Sequence, residues 1–230
     1  MKPSFPNQRN QALTRIDKLV VIVVLLVLTA ILLPALTAAK RRAQCIHCAN
    51  NMKHINVAFR DWEGGHFDDY PMAVSVANGG MMELNNGRNA WINFAVLSNE
   101  LSTPEILHCP ADTQRIQTTN FNDLAGKISY FVNLDATEKH PQMLVFGDDN
   151  FAINGVLVKS GLLELSSNTP ISWTVARHKL VGNISFVDGS VDELSTLGLR
   201  SAAARGERDW VKLGQGFELT GVTNNRLAIP

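Results

Sequence analysis

The sequence predicts an α+β protein in which a long N-terminal helix, transmembrane and then amphipathic, packs on a small antiparallel β-sheet. Three observations lead to this class. An uncharged apolar segment runs from Leu19 to Ala39. Apolar residues at helical spacing continue from there to Trp62. Short β-rich segments separated by turn residues follow. We therefore expect a helix over residues 13–62 and an α+β head over residues 63–230.

The composition fits a membrane anchor joined to one domain of ordinary size. The chain has 230 residues, of which 45% are apolar and 18% are charged. Lys and Arg together number 21, as do Asp and Glu, so the formal net charge is zero. A balanced charge gives no reason to expect a nucleic-acid partner.

The segment from Leu19 to Ala39 has the length and composition of a membrane span. About 20 apolar residues in a helix cross the hydrocarbon core of a bilayer. A cleaved secretory signal is the alternative, because Ala38 and Ala39 resemble a small-residue cleavage site. We favour an uncleaved anchor, since the apolar segment is longer than a signal's and the helical pattern continues beyond it. The charged residues that bracket the segment are Arg15, Asp17 and Lys18 before it, and Lys40, Arg41 and Arg42 after it.

Beyond the membrane segment the helical pattern becomes amphipathic. Polar residues occupy the opposite face, so the apolar stripe requires a packing partner, which the head can supply. Gly64 and Gly65 are expected to end the helix. Pro34 is expected to kink it, because proline removes one backbone hydrogen bond. The stripe is formed by Cys45, Cys48, Met52, Ile55, Phe59 and Trp62.

The head is predicted to contain two hairpins. Asp188-Gly189 predicts the tight turn of the first, because glycine readily adopts the positive φ that such a turn requires. Ser160-Gly161 predicts the turn of the second. Residues 90–100 have helix-compatible spacing, and residues 198–205 form a short predicted helix. The other predictions are strands at 128–132, 143–146, 156–158, 162–165, 184–187 and 190–194, and an irregular tail at 214–230.

The start of the apolar segment resembles a known processing signal. Residues 12–17 (ALTRID) precede the apolar segment, which contains Leu33-Pro34-Ala35-Leu36. This arrangement resembles the cleavage and methylation segment of type IV pilins and type II secretion pseudopilins. The resemblance implies a leader over residues 1–12, cut by a prepilin peptidase between Ala12 and Leu13. It also implies an assembly role for Asp17, the acidic fifth residue of the mature chain, and for Pro34. The alternative for Asp17 is a place among the lipid headgroups, where it would pair with Arg15 or Lys18.

Three later segments resemble a narrower branch of the same family. Residues 48–55 (CANNMKHI) are similar to the CxxNLKQI segment that follows the anchor in these proteins. Residues 109–112 (CPAD) resemble a loop of that branch. His178 precedes Asp188-Gly189 with nine residues between them, as in the H-x9-DG motif of prepilin-like proteins. The four signals occur in the family's order, which makes the set specific.

The resemblance implies a structural subunit and not an enzyme. Such a subunit is a single-pass protein of the bacterial inner membrane, with a cytoplasmic N-terminus and a periplasmic or, after assembly, extracellular head. Its implied partners are prepilin peptidase, other pilin or pseudopilin subunits, the inner-membrane assembly platform and the lipid bilayer. The alternative is an anchored periplasmic binding domain that does not polymerise. Ala12, Leu13 and Arg15 depart from the family's usual Gly, Phe and apolar residue, and these departures favour the alternative.

The three cysteines leave several interpretations open. Cys45 and Cys48 form a CxxC, a pattern found in zinc and redox sites. Both lie on the apolar helix stripe, however, where cysteine acts as a small hydrophobic residue. In an oxidising compartment we favour a disulfide that joins this helix to Cys109. The family pattern implies the pair Cys48–Cys109, and Cys45–Cys109 is the alternative.

The residues around the H-x9-DG motif have three interpretations. A catalytic His178–Asp188 pair is one. A Ca²⁺ site that includes Asp148-Asp149-Asn150 is the second, because hard cations bind several oxygen ligands. The third, which we favour, is structural, with Asp188-Gly189 as a hairpin turn. The sequence contains no nucleophile elbow, phosphate loop or metalloprotease helix. We therefore expect no enzymatic activity and no required cofactor.

Overall fold

The computed structural model of the protein describes residues 15–85, 89–165, 169–203 and 225–230. The chain divides into two compact units, residues 1–42 and residues 43–230, and each is described by itself. We call the second unit the head. The predicted cleavage position, Ala12 and Leu13, lies outside the described residues.

Helix α1 begins at Arg15 and ends at Glu63, which confirms the long N-terminal helix that the sequence predicts. In the first unit its apolar side chains are exposed, with exposed fractions from 49% at Val23 to 74% at Ile16. This helix is long and apolar enough to cross a membrane. Leucine, isoleucine and valine are exposed to this extent because no described element of the chain covers them.

Within the head, α1 buries the face that the sequence predicts. Cys48, Met52, Ile55 and Phe59 are all buried, at alternating spacings of four, three and four residues. The helix ends where Gly64 N–H donates to the Arg60 carbonyl in the last turn. Burial of these side chains is what holds this part of α1 on the sheet.

The head contains two antiparallel sheets. The larger has six strands in the order β5-β9-β1-β2-β7-β8, and the smaller has the order β4-β3-β6. This architecture confirms the predicted α+β class. The strands are β1 (Tyr130–Asn133), β2 (Leu144–Asp148), β3 (Phe151–Ile153), β4 (Val156–Leu157), β5 (Gly161–Leu165), β6 (Ile171–Trp173), β7 (Val181–Phe186), β8 (Val191–Ser195) and β9 (Asn225–Ile229).

One predicted hairpin is confirmed and the other is wrong. Strands β7 and β8 pair through a turn in which Gly189 has a φ of 87°. Strand β4, by contrast, does not pair with β5; it pairs with β3 through Asn154 and Gly155, whose φ values are 51° and 77°. An Asn-Gly turn fits the twist of a hairpin better than Ser160-Gly161 does.

The predicted irregular tail is also corrected in part. Strand β9 pairs with β1 on one side and with β5 on the other, so it lies inside the larger sheet. Residues 214–224 lie outside the described residues. The predicted helices are shorter or shifted: α2 covers Ile92–Ala95, and the described part of α3 covers residues 196–203.

The central strands β1, β2 and β7 of the larger sheet are buried on both faces. One face packs on α1, and its core includes Tyr130, Val132 and Phe146. The other face, with Phe131 and Ile184, packs against the smaller sheet and α3. Adjacent residues of β1 therefore pack into different hydrophobic cores, one on each face of the sheet, because side chains alternate along a strand.

Polar side chains of α1 fix the helix to the β7–β8 hairpin. Asn56 Nδ2 donates to Ser185 Oγ at 2.5 Å and to the Phe186 carbonyl at 3.0 Å. Arg60 Nη2 donates to the Val187 carbonyl at 2.8 Å. These bonds satisfy polar groups that packing removes from water, and they set the position of the helix along the strand.

The last residue of α1 carries a perturbed carboxyl group. Glu63 is buried, and its Oε2 atom has no hydrogen-bond partner among the described residues. Burial and the neighbouring Glu138 carboxyl raise the pKa of Glu63 to about 8. The folded protein therefore holds a proton on Glu63 at pH values where the unfolded chain has lost it.

We expect Glu63→Gln to reduce the loss of stability at alkaline pH. The pKa of Glu63 in the folded protein lies above its ordinary value of 4.5. The contribution of the protonated Glu63 to the free energy of unfolding is therefore fully present below about pH 4.5 and is lost as the pH rises to about 8. The variant should therefore lose less free energy of unfolding than the wild type between about pH 5 and pH 8.5. Urea unfolding of the full-length chain in mild detergent measures this difference. The exposed Glu105→Gln serves as the control, and an identical pH dependence in all three proteins would contradict the assignment.

Candidate functional site

Four side chains of types that can bind a metal ion, from four separate segments, meet inside the head. Cys48 lies on α1, Cys109 follows the short 3-10 helix at Pro104–Leu107, Asp148 ends β2, and His178 precedes β7. One donor atom from each lies within 4.8 Å of the donor atoms of the others. All four residues are buried. We call this set the Cys-Cys-Asp-His cluster.

The distances within the cluster are those of polar contacts. Cys48 Sγ lies 3.3 Å from Asp148 Oδ1. Cys109 Sγ lies 3.3 Å from His178 Nε2. His178 Nε2 in turn lies 3.6 Å from Asp148 Oδ2. The four side chains therefore form one connected cluster instead of separate pairs.

A second layer of polar groups orients the cluster. The backbone N–H of Asn183 donates to Asp148 Oδ2 at 2.8 Å, and Asn183 Nδ2 donates to the same oxygen at 3.1 Å. Because Asn183 holds Oδ2, the Asp148 carboxylate presents its other oxygen, Oδ1, to Cys48. On the other side of Cys48, Tyr130 Oη lies 3.3 Å from the Sγ atom. Such outer partners fix the orientation of ligating side chains in metal sites.

The two cysteines of the cluster differ in acidity. Burial raises the pKa of the Cys48 thiol well above its ordinary value. The hydrogen bond with Cys48 lowers the pKa of Cys109 to about 7 against the effect of burial, and His178 assists it. The thiolate is the form of cysteine that binds metals, and these surroundings favour it at Cys109.

Cys45, the other member of the CxxC, is not part of the cluster. Its Sγ lies 2.7 Å from Glu193 Oε2 and 3.6 Å from Asn183 Oδ1. Burial and the Glu193 carboxylate raise the pKa of Cys45 to about 12. It is a neutral thiol, as its place on the apolar stripe predicts.

The predicted disulfide concerns two members of the cluster. Cys48 and Cys109 are both free thiols here, as is Cys45. The structure brings the sulfur atoms of Cys48 and Cys109 within 4.8 Å of each other. The Cys48–Cys109 disulfide stays a prediction, and so does its alternative with Cys45.

The predicted oxygen cluster Asp148-Asp149-Asn150 is divided between different environments. Asp148 belongs to the Cys-Cys-Asp-His cluster, whereas Asp149 contacts the guanidinium groups of Arg115 and Arg177. Neither amide atom of the Asn150 side chain has a hydrogen-bond partner among the described residues. Because two arginines already neutralise Asp149, this arrangement does not favour the Ca²⁺ interpretation.

Asp149 is part of a buried group of ion pairs beside the Cys-Cys-Asp-His cluster. Arg177 Nη2 lies 2.5 Å from Asp149 Oδ1 and 2.7 Å from Asp112 Oδ2. Arg115 contacts the same two carboxylates at 2.6 and 3.0 Å. Burial alone would raise the pKa of Asp112, but Arg177 and hydrogen bonds from Gln114 and Ser129 hold it at about 2. Two cations and two anions balance here, as buried charges require.

The two ends of the H-x9-DG motif have separate surroundings. His178 contacts Cys109 and Asp148, whereas Asp188 is exposed in the β7–β8 turn and accepts hydrogen bonds from Ser190 N–H and Gln142 Nε2. The turn agrees with the structural interpretation of Asp188-Gly189.

The cluster does not have the arrangement of a nucleophile–His–Asp triad. In a triad the base contacts the nucleophile with one ring nitrogen and the orienting carboxylate with the other. Here Cys109 and Asp148 both approach the Nε2 atom of His178. All three side chains are also buried.

The sequence identifies each member of the cluster separately, and the predicted disulfide brings only Cys48 and Cys109 together. Cys48, Cys109 and His178 are found through the resemblance, and Asp148 through the oxygen-rich segment. No local pattern joins the four residues, because they come from segments that are distant in the chain. Arg115 and Arg177, which join Asp112 and Asp149, carry no such signal.

The comparisons with known proteins give no relative. No family model, no curated protein and no solved structure matches the chain. The observed architecture, a long apolar N-terminal helix and an antiparallel sheet packed on its second half, is compatible with a pilin-like fold.

Proposed function

We propose that the chain is a membrane-anchored, pilin-like structural subunit. It is cut by prepilin peptidase, methylated at the new N-terminus, and assembled by helix packing into a pseudopilus or a pilus-like fibre. The single observation that carries this proposal is the exposure of every large apolar side chain of α1 between Ile16 and Leu36. A surface of this size requires an apolar environment. Lipid supplies it before assembly, and α1 helices of neighbouring subunits supply it afterwards.

The position of Asp17 supports the assembly part of the proposal. A carboxylate at the edge of a membrane span costs a few kcal/mol to place in hydrocarbon. The N-terminal amine of a neighbouring subunit, freed by cleavage before Leu13, is a suitable partner for this carboxylate. The same contact would fix the stagger between neighbouring helices. Inner-membrane insertion requires only the apolar segment, whereas ordered assembly also requires this pair.

The mass of the mature protein tests processing. We expect the full-length chain, extracted from membranes with detergent, to lack residues 1–12 and to carry one added methyl group. Intact-mass spectrometry measures both changes. An intact leader on a membrane-retained protein would favour the alternative, an anchored periplasmic binding domain. Recovery of the chain in the soluble fraction without detergent would refute the anchor itself.

Neutralising Asp17 separates insertion from assembly. We expect Asp17→Asn to remain in the membrane fraction but to lose cross-linked multimers and fibres, because the amine then has no charged partner. Asp61→Asn, which changes an exposed carboxyl on the same helix, should assemble as the wild type does. Equal assembly of both variants would contradict the docking role.

A further inference from the structure

The Cys-Cys-Asp-His cluster has the composition and shape of a closed metal site. We propose that Cys48, Cys109, Asp148 and His178 together bind one zinc ion, which fastens α1 to the sheet and to two loops of the head. This site is separate from the membrane anchor, so its test does not depend on whether the chain assembles.

The spacing of the donor atoms matches four-coordinate zinc. Zinc ligands at ~2.0–2.3 Å in a tetrahedron lie about 3.3–3.8 Å from one another. The two sulfur contacts of the cluster, Cys48 Sγ to Asp148 Oδ1 and Cys109 Sγ to His178 Nε2, are both 3.3 Å. His178 Nε2 lies 3.6 Å from Asp148 Oδ2, the oxygen that Asn183 holds. All four donor atoms lie within 4.8 Å of one another, so the wider pairs would have to close by at most about 1.5 Å to coordinate one ion.

The donor types favour zinc over the Ca²⁺ considered from the sequence. Two sulfurs, one imidazole nitrogen and one carboxylate oxygen are all ordinary zinc ligands. Calcium, by contrast, takes six to eight oxygen ligands, and sulfur is a poor ligand for it. Four protein ligands also fill a tetrahedron completely. The zinc would therefore have a structural role, since a catalytic zinc keeps one position open.

The charges around the cluster suit a divalent ion. Two thiolates and one carboxylate carry three negative charges, and zinc reduces the total to minus one. Arg177, which immediately precedes His178 in the chain, already pairs with Asp149 and Asp112, so the zinc site keeps a net charge of minus one. Asn183 holds the second oxygen of Asp148, which is the outer-layer support that ligating carboxylates have in metal sites.

Two metal-free states compete with this proposal. In one, both thiols stay protonated and share hydrogen bonds with Asp148 and His178. In the other, Cys48 and Cys109 form a disulfide, whose sulfurs would lie about 2.05 Å apart. A disulfide would remove two of the four zinc ligands, so the two modifications exclude each other.

Metal analysis of the full-length chain distinguishes these states. The chain is purified in mild detergent without a metal-affinity step and dialysed against metal-free buffer. We expect inductively coupled plasma mass spectrometry to find about one zinc per chain. Cys109→Ser, Cys48→Ser and His178→Gln should each lose the zinc. Cys45→Ser is the matched control, because Cys45 belongs to the same CxxC and is equally buried but lies outside the cluster, and this variant should keep its zinc.

A measurement on the wild type guards against variants that fail to fold. Cobalt(II) added to the zinc-stripped, reduced chain should give the absorption of tetrahedral cobalt together with thiolate-to-cobalt charge-transfer bands. Added zinc should then abolish this spectrum. Absence of both metals from the reduced wild type would overturn the proposal. So would a Cys48–Cys109 disulfide in the chain as purified, or zinc that remains in every cluster variant.

Discussion

Phe59→Ala should lower the free energy of unfolding of the head by about 3–5 kcal/mol, the range for removing a fully buried phenylalanine. Phe59 projects from α1 into a group of aromatic rings. Its ring centroid lies 5.9 Å from that of Tyr70, 6.0 Å from that of Phe94 and 5.5 Å from that of Phe146. The variant would lose the burial of the ring and leave a cavity that these rigid neighbours cannot fill.

Unfolding of the full-length chain by urea in mild detergent, followed by tryptophan fluorescence, measures the effect. Val57→Ala is the control, because Val57 lies on the same helix with 56% of its surface exposed. Surface changes of this kind usually alter stability by no more than about 0.5 kcal/mol. Similar losses in the two variants would mean that α1 does not supply the core of the head.

Arg177→Met should destabilise the head by about 3–5 kcal/mol, because removing one partner leaves buried carboxylates uncompensated. The Arg177 side chain is only 7% exposed and lies within 2.7 Å of both Asp112 and Asp149. Arg115 alone cannot neutralise two anions. Arg226→Met is the control: it breaks an ion pair with Asp135 whose arginine is 47% exposed, and such surface pairs contribute about 0–1 kcal/mol.

The pH dependence of the destabilisation by Arg177→Met gives a second check. In the wild type the pKa of Asp112 is about 2, below its ordinary value of 3.8. Its contribution is therefore present above about pH 4 and is lost as the pH falls towards 2. Without Arg177 the folded carboxyls would accept protons at higher pH, so the difference between variant and wild type should shrink on acidification. A loss that stays constant from neutral to acidic pH would contradict this explanation.

The long helix α1 was predictable because its signals are local. The apolar residues of α1 recur at helical spacing, so the buried face, including Cys48 and Phe59, follows from the periodicity alone. The β7–β8 hairpin was predictable for the same reason, since Asp188-Gly189 specifies its own turn. The β3–β4 hairpin carries an equally local signal in Asn154-Gly155.

The rest of the sheet could not be predicted, because strand order depends on contacts between distant segments. Nothing near Leu227 indicates that its strand lies between β1 and β5, since the short apolar segment at 227–229 would fit an edge, a centre or a tail. The Cys-Cys-Asp-His cluster has the same difficulty. His178 meets Cys109 only because α1, β2 and two loops take particular positions around the sheet.

The position of β9 has a consequence for biogenesis. Until residue 229 has been synthesised and has reached the folding compartment, β1 and β5 each present an unpaired edge. Unpaired edges are templates for aggregation, and pairing between segments so far apart in the chain is slow. A nascent head therefore exposes two aggregation-prone strand edges until its last strand has been synthesised and paired.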